Sequence, residues 1–450
     1  MTIRLPICLF GVLALVLTAH AQTTVSNTTY GSGQSATVLG PGTIQTSGNV
    51  TVSGGANVKF IATSSIALNA GFSCSGANFQ AAITSLSVTP TTPGGLTFGS
   101  TSAVAVSFNA NDVNGTIAKM AIYRNGVLVS TLTGPTSGSI WTFTESASLP
   151  PGTYTYQAYV YDAYGNIISS TPVTVIVLAA LPYLTDFEAS DGYTLGSLDQ
   201  QLGWSVGQGS AVVTNQDAAH GTQSAMLQPG TAPAQITQTF AAQAGENIIF
   251  VDFFAKPVAG AAVTTATTFN AGSARFAFVL SGSGQGTLQA FNGNGADAGG
   301  WISTNFTAPL GANNQAQNWI RLTARLDFTH KTWDLYANGT MIVADLGFLD
   351  NTSTALTSFS VQGVTATTSK LDDLLAGPQN PLFADANNDG IDDAWETANG
   401  LSLSVNDRYL LFPGSSVTIL QQYINSVNPG NSANAQAQTA IGFLLFSPSP

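Results

Sequence analysis

Residues 318–348 read NWIRLTARLDFTHKTWDLYANGTMIVADLGF, and their alternation decides the fold class. From Ile320 to Asp327, and again from Thr332 to Ala337, apolar side chains recur at every second position, the period of a strand with two unlike faces. The run Asp327-Phe328-Thr329-His330-Lys331 interrupts the first strand. Asn338-Gly339, the favoured pair for a tight hairpin turn, ends the second. Working outward, residues 181–378 hold Trp204, Trp301, Trp319 and Trp333, many turn residues and almost no helical period. A large β-sandwich is expected there.

The whole chain fits that setting. Its 450 residues include 11 Lys and Arg against 23 Asp and Glu, a net charge of −12, and 44% are hydrophobic. This is enough apolar surface for real cores and, at roughly 100–200 residues each, for about three or four units. The acidic balance and the lack of a cluster of basic residues argue against nucleic acid or an anionic membrane as partner, and cations are the better match. Residues 1–21 read as a secretory signal peptide: Arg4, an apolar run from Ile7 to Leu17, then Ala19-His20-Ala21. No later apolar run reaches the ~20 residues of a bilayer span. Removal of the signal leaves Cys74 as the one cysteine, with His220 and His330 as the histidines, so no intrachain disulfide is expected. Calcium is the candidate replacement staple for a secreted, extracellular or cell-surface protein.

Ahead of the sandwich lie two further segments. Residues 22–83 alternate in short runs such as Val50-Thr51-Val52, Val58-Lys59-Phe60-Ile61 and Ile66-Ala67-Leu68, expected to stack as a small β-solenoid, with Cys74 a small buried or neutral thiol. The stretch GANVKFIATSSIALNAGFSCSGANFQAAI (55–83) resembles β-repeat modules of secreted bacterial surface proteins. Residues 84–180 show sandwich spacing, with Tyr154, Tyr156, Ala158 and Val160 expected on one core face. The strings NDVNGTIAKMAIYRNGVLV (111–129) and PPGTYTYQAYVYDAYGN (150–166) resemble bacterial Ig-like repeats, a spacer and adhesive family. Asn114 stands where that family commonly has Asp, so no ion is assigned to this turn.

The hairpins of 318–348, with TDFEASDGYTLGSLDQQLGW (185–204) and SKLDDLLAG (369–377) as opening and closing strands, resemble the laminin-G/concanavalin-like jelly roll. In carbohydrate-binding relatives an acid after the first strand and an Asp pair on the last share a calcium, which by motif implies a second calcium at Glu188, Asp372 and Asp373. The tryptophans are offered either as sugar-stacking platforms or as core.

The sharpest motif is DANNDGIDDAWE (385–396), which matches the calcium-loop pattern D-x-[DN]-x-[DN]-G-x5-E. Asp385, Asn387 and Asp389 supply side-chain oxygens, Gly390 the sharp turn, Ile391 a backbone carbonyl, Asp393 a direct or water-mediated contact, and Glu396 a closing carboxylate. The segment resembles dockerin-like or thrombospondin type-3-like EF-hand-type modules, here spanning 379–430 and followed by a flexible tail, 431–450. Where the family has its second loop, this sequence puts Leu411, Pro413, Ser415 and Gln422, so one ion is expected at this module. Ile419, Leu420, Tyr423, Ile424 and Val427 share a helical face expected to pack on Trp395. Leu410, Leu411 and Phe412 are expected to fill the lost loop by apolar contact.

Catalysis finds no support. No Glu-x-Asp-x-Glu string supplies a pair of carboxylates at glycosidase spacing, and no G-x-S-x-G elbow accompanies His220 or His330. The reading is an all-β, multidomain, non-enzymatic protein with a small α-helical calcium module. Its cofactor is calcium, and its leading partner is a glycan or cell-surface polysaccharide bound through the jelly roll. A purely structural surface component and an unrecognised glycan hydrolase are the alternatives.

Overall fold

A computed structural model describes residues 22–428 except for 41, 63, 84, 114–115, 135–136, 164–165, 244, 264–272 and 283. The expected signal at 1–21, the tail at 431–450 and the turn at Asn114 lie outside the described residues. The described chain is all-β apart from two α-helices, α1 (Asp393–Ala398) and α2 (Ile419–Val427), and three 3-10 turns. It forms two compact units, one comprising residues up to Leu96 with Val104–Ser146 and Tyr154–Val175, the other Thr97–Ala103, Ala147–Thr153 and everything from Ile176 onward.

The first unit opens with three parallel three-stranded sheets, in which the chain returns to the same sheet once per coil. Ser35 lies opposite Asn57, and Asn57 opposite Asn78. Val25, Ile44, Val50, Val52, Val58 and Phe60 point inward and form one core, which drives the stacking because no single coil can bury its apolar face alone. Cys74 is exposed rather than buried, since it lies on a strand of the last coil.

The unit continues as a sandwich. Ser85–Pro90, Ala105–Val113 and Ile140–Thr144 make one sheet, and Gly152–Asp162 pairs with Ile117–Arg124 in the other. Tyr156, Ala158 and Val160 are fully buried, as the period of two requires, whereas Tyr154 is only half-buried. The Tyr156 hydroxyl donates to Glu145 (2.6 Å), which also pairs with Arg124 (2.7 Å), so the polar end of this core aromatic is satisfied.

The second unit is built on a nine-stranded antiparallel sheet. Its central strands run in the order Ser369–Gly377, Ile248–Lys256, Ile320–Asp327, Thr332–Ala337 and Thr340–Gly347. Opening strand Tyr183–Thr185 pairs with closing strand Ser369–Gly377, Thr185 opposite Leu374. Asn338 and Gly339 both have positive φ, 49° and 81°, and join Ala337 to Thr340 as the Asn-Gly pair demands. Two three-stranded sheets contribute to the same core, where Trp204 and Trp333 are buried with Phe253, Leu322, Leu326 and Leu335.

Alternation implies that the opposite face, with Arg325, Asp334 and Tyr336, meets water. These three side chains are instead fully buried, because residues from the C-terminal segment cover them. Tyr336, Met341 and Ala344 pack against Ile391, Ile419, Leu420, Tyr423 and Ile424. Helix α2 is fixed at its start by a capping box between Thr418 and Gln421. As expected, Tyr423 meets Trp395, with ring centroids 5.2 Å apart. Two expectations fail here. Leu410 and Leu411 are 62% and 61% exposed, because a short bridge, Leu411 to Thr418, turns only Phe412 inward toward Trp395. Val427, at the last turn of α2, is also partly exposed.

Candidate functional sites

The 385–396 loop curls by the local hydrogen bonding that short polar side chains favour. Asp389 N–H donates to Asn387 Oδ1 (3.0 Å), Gly390 N–H to Asp385 Oδ2 (3.0 Å), and Ile391 N–H to Asp389 Oδ1 (2.8 Å). Gly390 has φ +83°, and a Cβ there would meet Tyr336 Oη at 2.7 Å and Arg325 Cδ at 2.8 Å, so glycine is required by close approach as well as by the turn. Helix α1 follows, capped by Asp392, whose side chain accepts from Ala394 N–H (2.8 Å), and it carries Glu396 back over the loop.

Among the described residues, one trio of acidic, His or Cys side chains brings its ligand atoms within 4.8 Å of one another: Asp389, Glu396 and Asp407. Asp389 and Glu396 are buried. Burial first, and then the charges of Asp389 and Asp407, push Glu396 up to about 8, while burial raises Asp389 to about 6 and also lifts Asp385 and Asp407. Three buried oxygens, Asp385 Oδ1, Glu396 Oε2 and Asp407 Oδ1, have no hydrogen-bond partner. Asn387 Nδ2 faces four acceptors, Val405 O (3.0 Å), Asp389 Oδ2 (3.3 Å), Glu396 Oε1 (3.4 Å) and Ser402 O (3.4 Å), although an amide nitrogen has only two hydrogens to give. The centre is thus an excess of oxygens over donors, the condition a hard cation relieves.

The motif residues divide between two duties. Asp389 and Glu396 join the trio, and Asn387 lies against both. Ile391 is buried in the adjoining apolar cluster. Asp385 faces Asn380 and Gly390 with one oxygen, and Asp393 stands outside the trio, accepting from Ala386 N–H (3.0 Å). Asp407 was missed because it lies past the twelve-residue motif. Yet Asp407 and Arg408 are the only charged residues after Glu396, a signal open to inspection.

Glu188, Asp372 and Asp373 do not gather into such a trio. They hold one loop from two sides: Glu188 accepts from Thr222 and Gln223 N–H groups, Asp372 Oδ2 from Ala219 N–H (2.7 Å), and Asp373 pairs with His220 Nδ1. Burial, with the neighbouring Asp373 charge, raises Asp372 to about 7.

That loop borders a second feature. Register places Lys370 beside Lys256 and Asp372 beside Phe254, with Phe254 opposite Arg321. Lys256 (3.0 Å) and Lys370 (2.8 Å) both donate to Asp217 Oδ2, and Trp319 Nε1 donates to Oδ1 (3.2 Å). Burial opposes ionisation of Asp217, but the Lys370 and Lys256 hydrogen bonds outweigh it and hold the carboxyl below its ordinary value. His220, whose side chain is 64% exposed, stands edge-on to Phe254 at 4.8 Å, and the Arg321 guanidinium lies 5.8 Å from the same ring. Trp319 and Trp301 are half-buried, whereas Trp204 and Trp333 belong to the core.

A family described as Bacterial Ig domain matches residues 87–158. No curated protein matches the chain. Among solved structures, the fibronectin(III)-like modules of Clostridium thermocellum CbhA are 22% identical, covering 20% of this chain and 94% of theirs, with a TM-score of 0.18. Domain 4 of AbnA, an extracellular arabinanase from Geobacillus stearothermophilus in complex with arabinotriose, is 16% identical over 43% of this chain and 80% of its own, TM-score 0.20. A Bacteroides ovatus protein, SGBP-B, in complex with a mixed-linkage heptasaccharide, is 13% identical over 61% and 67%, TM-score 0.16.

The two histidines among the described residues have carboxylate partners, His220 with Asp373 and His330 with Asp327 (3.0 Å), and the hydrogen bonds described for these pairs include no serine hydroxyl.

Proposed function

We propose that this chain is an extracellular modular binding protein that carries one calcium ion at Asp389, Glu396 and Asp407 and presents a glycan-binding face on its jelly roll. The observation that carries the metal reading is the gathering of three carboxylates with unpartnered buried oxygens. Asn387, the Ser402 and Val405 carbonyls and Asp385 stand ready as further oxygen donors. Bound calcium supplies the positive charge that this cluster lacks. An all-oxygen set this numerous suits calcium better than magnesium, which takes fewer protein ligands and keeps more water. Calorimetric titration of the full chain is expected to give about one ion per chain, and Glu396→Gln to weaken uptake at least tenfold. Two ions per chain would overturn the single-site reading. No uptake would end the calcium reading.

The glycan reading rests on the outer sheet face, where a half-exposed indole and the Phe254 ring stand among Lys256, Lys370, Asp217 and His220. Aromatic faces stack on sugar rings while paired polar groups meet hydroxyls at the rim. Trp319→Ala is expected to weaken retention of the full chain on polysaccharide affinity gels by about three- to tenfold, leaving the melting curve nearly unchanged. Equal retention of parent and variant would remove this face from the function. Absence of retention on any polysaccharide would favour the purely structural alternative, and release of reducing sugar would favour the hydrolase.

A further inference from the structure

Three consecutive carbonyls of the calcium loop accept hydrogen bonds from buried side chains outside the twelve-residue motif. Asn388 O accepts from Arg325 Nε (2.9 Å) and Nη2 (2.7 Å), Asp389 O from Arg408 Nη1 (2.5 Å), and Gly390 O from Tyr336 Oη (2.6 Å). Arg325 and Tyr336 come from the strands Ile320–Asp327 and Thr332–Ala337, far from the loop in sequence. The donors are themselves fixed. Arg408 makes a two-pronged pair with Asp334 (2.7 and 2.8 Å), Arg325 reaches Asp334 and Asp327 (both 3.4 Å), and all of Arg325, Asp334, Tyr336 and Arg408 are fully buried. Tyr409, the residue after Arg408, extends the network to Asp345 (2.8 Å) without touching the loop.

From this geometry we infer that Arg325 and Tyr336 of the jelly roll, with Arg408, are positioning residues for the metal loop: buried donors outside the twelve-residue motif add to its own hydrogen bonds in fixing the loop conformation and hence the calcium affinity. The inference rests on the calcium reading above and goes beyond it, since none of the three residues belongs to the motif or reaches the ion as a carboxylate. Within the curl, Asn388 N–H to Asp385 O at 3.3 Å is the one backbone–backbone hydrogen bond, and the N–H groups of 389–391 are met by loop side chains. The loop's own side chains hold the N–H side of the 388–391 peptide units, and the three donors hold the carbonyl side, so loss of a donor loosens one of two restraints on the groups that place Asp389. Each donor held in place before the ion arrives lowers the ordering that binding must otherwise impose.

The experiment uses the full chain and calcium itself as probe. Tyr336→Phe removes one hydroxyl from Gly390 O and leaves the ring in its apolar cluster, while Tyr409→Phe removes a hydroxyl from the same buried network with no link to a loop carbonyl. Both are expected to lower the thermal midpoint of the chelated protein slightly. Only Tyr336→Phe is expected to weaken calcium binding, by about three- to tenfold, the span of one ordinary hydrogen bond. If the two variants bind calcium as tightly as the parent, or weaken it equally, the carbonyl contacts are structural only and the inference falls. A parent that takes up no calcium overturns the metal reading, and this inference with it.

Discussion

Asp334→Ala is expected to destabilise the second unit by about 3–5 kcal/mol, the range found when one member of a buried ion pair is deleted. Asp334 is fully buried and is the shared anion for Arg408 and Arg325. Burial alone would raise its carboxyl, but the two guanidinium groups hold it below the ordinary value. Deletion leaves two buried cations without their shared carboxylate: Arg325 keeps Asp327 at 3.4 Å, and Arg408 keeps only the charge of Asp345 nearby. Denaturant unfolding of the full chain, with the second unit's transition followed by tryptophan fluorescence, measures the loss. Exchanging Asp334, Arg325 and Arg408 together for apolar residues of similar volume is expected to recover part of it, because the unpaired charges go while the Asn388 and Asp389 carbonyls lose their donors. A loss below about 1 kcal/mol for Asp334→Ala, the size of an exposed pair, would show that the network is hydrated in solution.

Removal of calcium is expected to have the next largest effect. At free calcium a thousandfold above its dissociation constant, an ion that binds only the native state adds about 4 kcal/mol, all of it lost to a chelator. The sign of the pH response differs between the two forms. In the metal-free protein Glu396 is raised from 4.5 to about 8 and Asp389 from 3.8 to about 6, so the native state holds protons that the unfolded chain has released. Stability linked to these groups is complete below their unfolded values, falls as pH climbs, and is gone above about 8. Asp385 and Asp407 act in the same direction, while the neighbouring Arg325 tempers the rise at Asp385 and Arg408 that at Asp389. Calcium requires the ionised carboxylates, so its affinity should strengthen over the same interval. Thermal scans from pH 5 to pH 8 should therefore show a falling midpoint with chelator and a widening gap between chelated and calcium-loaded protein. A chelated midpoint that rises with pH would contradict the assignment of these carboxylates.

Much of this was legible in residues. The alternation of 318–348 and the Asn338-Gly339 pair gave the hairpins because strand period and turn chemistry are local. The 385–396 motif gave its own curl and two of the three clustered carboxylates for the same reason. What alternation could not tell was that Arg325, Asp334 and Tyr336 face protein rather than water: a polar strand face looks alike in both settings, and only the arrival of α2 and Ile391 decides. Asp407 was invisible for a related reason. It reaches the trio by tertiary placement, and no spacing rule for a helix-loop motif extends that far. The exposed Leu410 and Leu411 failed differently, since hydrophobicity alone assigned them an interior that a short bridge at Leu411 to Thr418 denies them.

The polar underside of the sandwich bears on how such chains are assembled over generations. Mosaic proteins are often pictured as beads exchanged by recombination at the spacers between them, each bead arriving with its own folding instructions. Here the C-terminal bead has left part of its instructions in its neighbour, as an arginine and a tyrosine on two strands of the sheet. A recombinant that acquired 379–428 alone would inherit the recognisable motif without the donors that shape it. The donor protein, cut at Gly377, would keep Arg325 and Asp334 on a face with nothing to cover them. The heritable piece is longer than the piece that sequence patterns mark out.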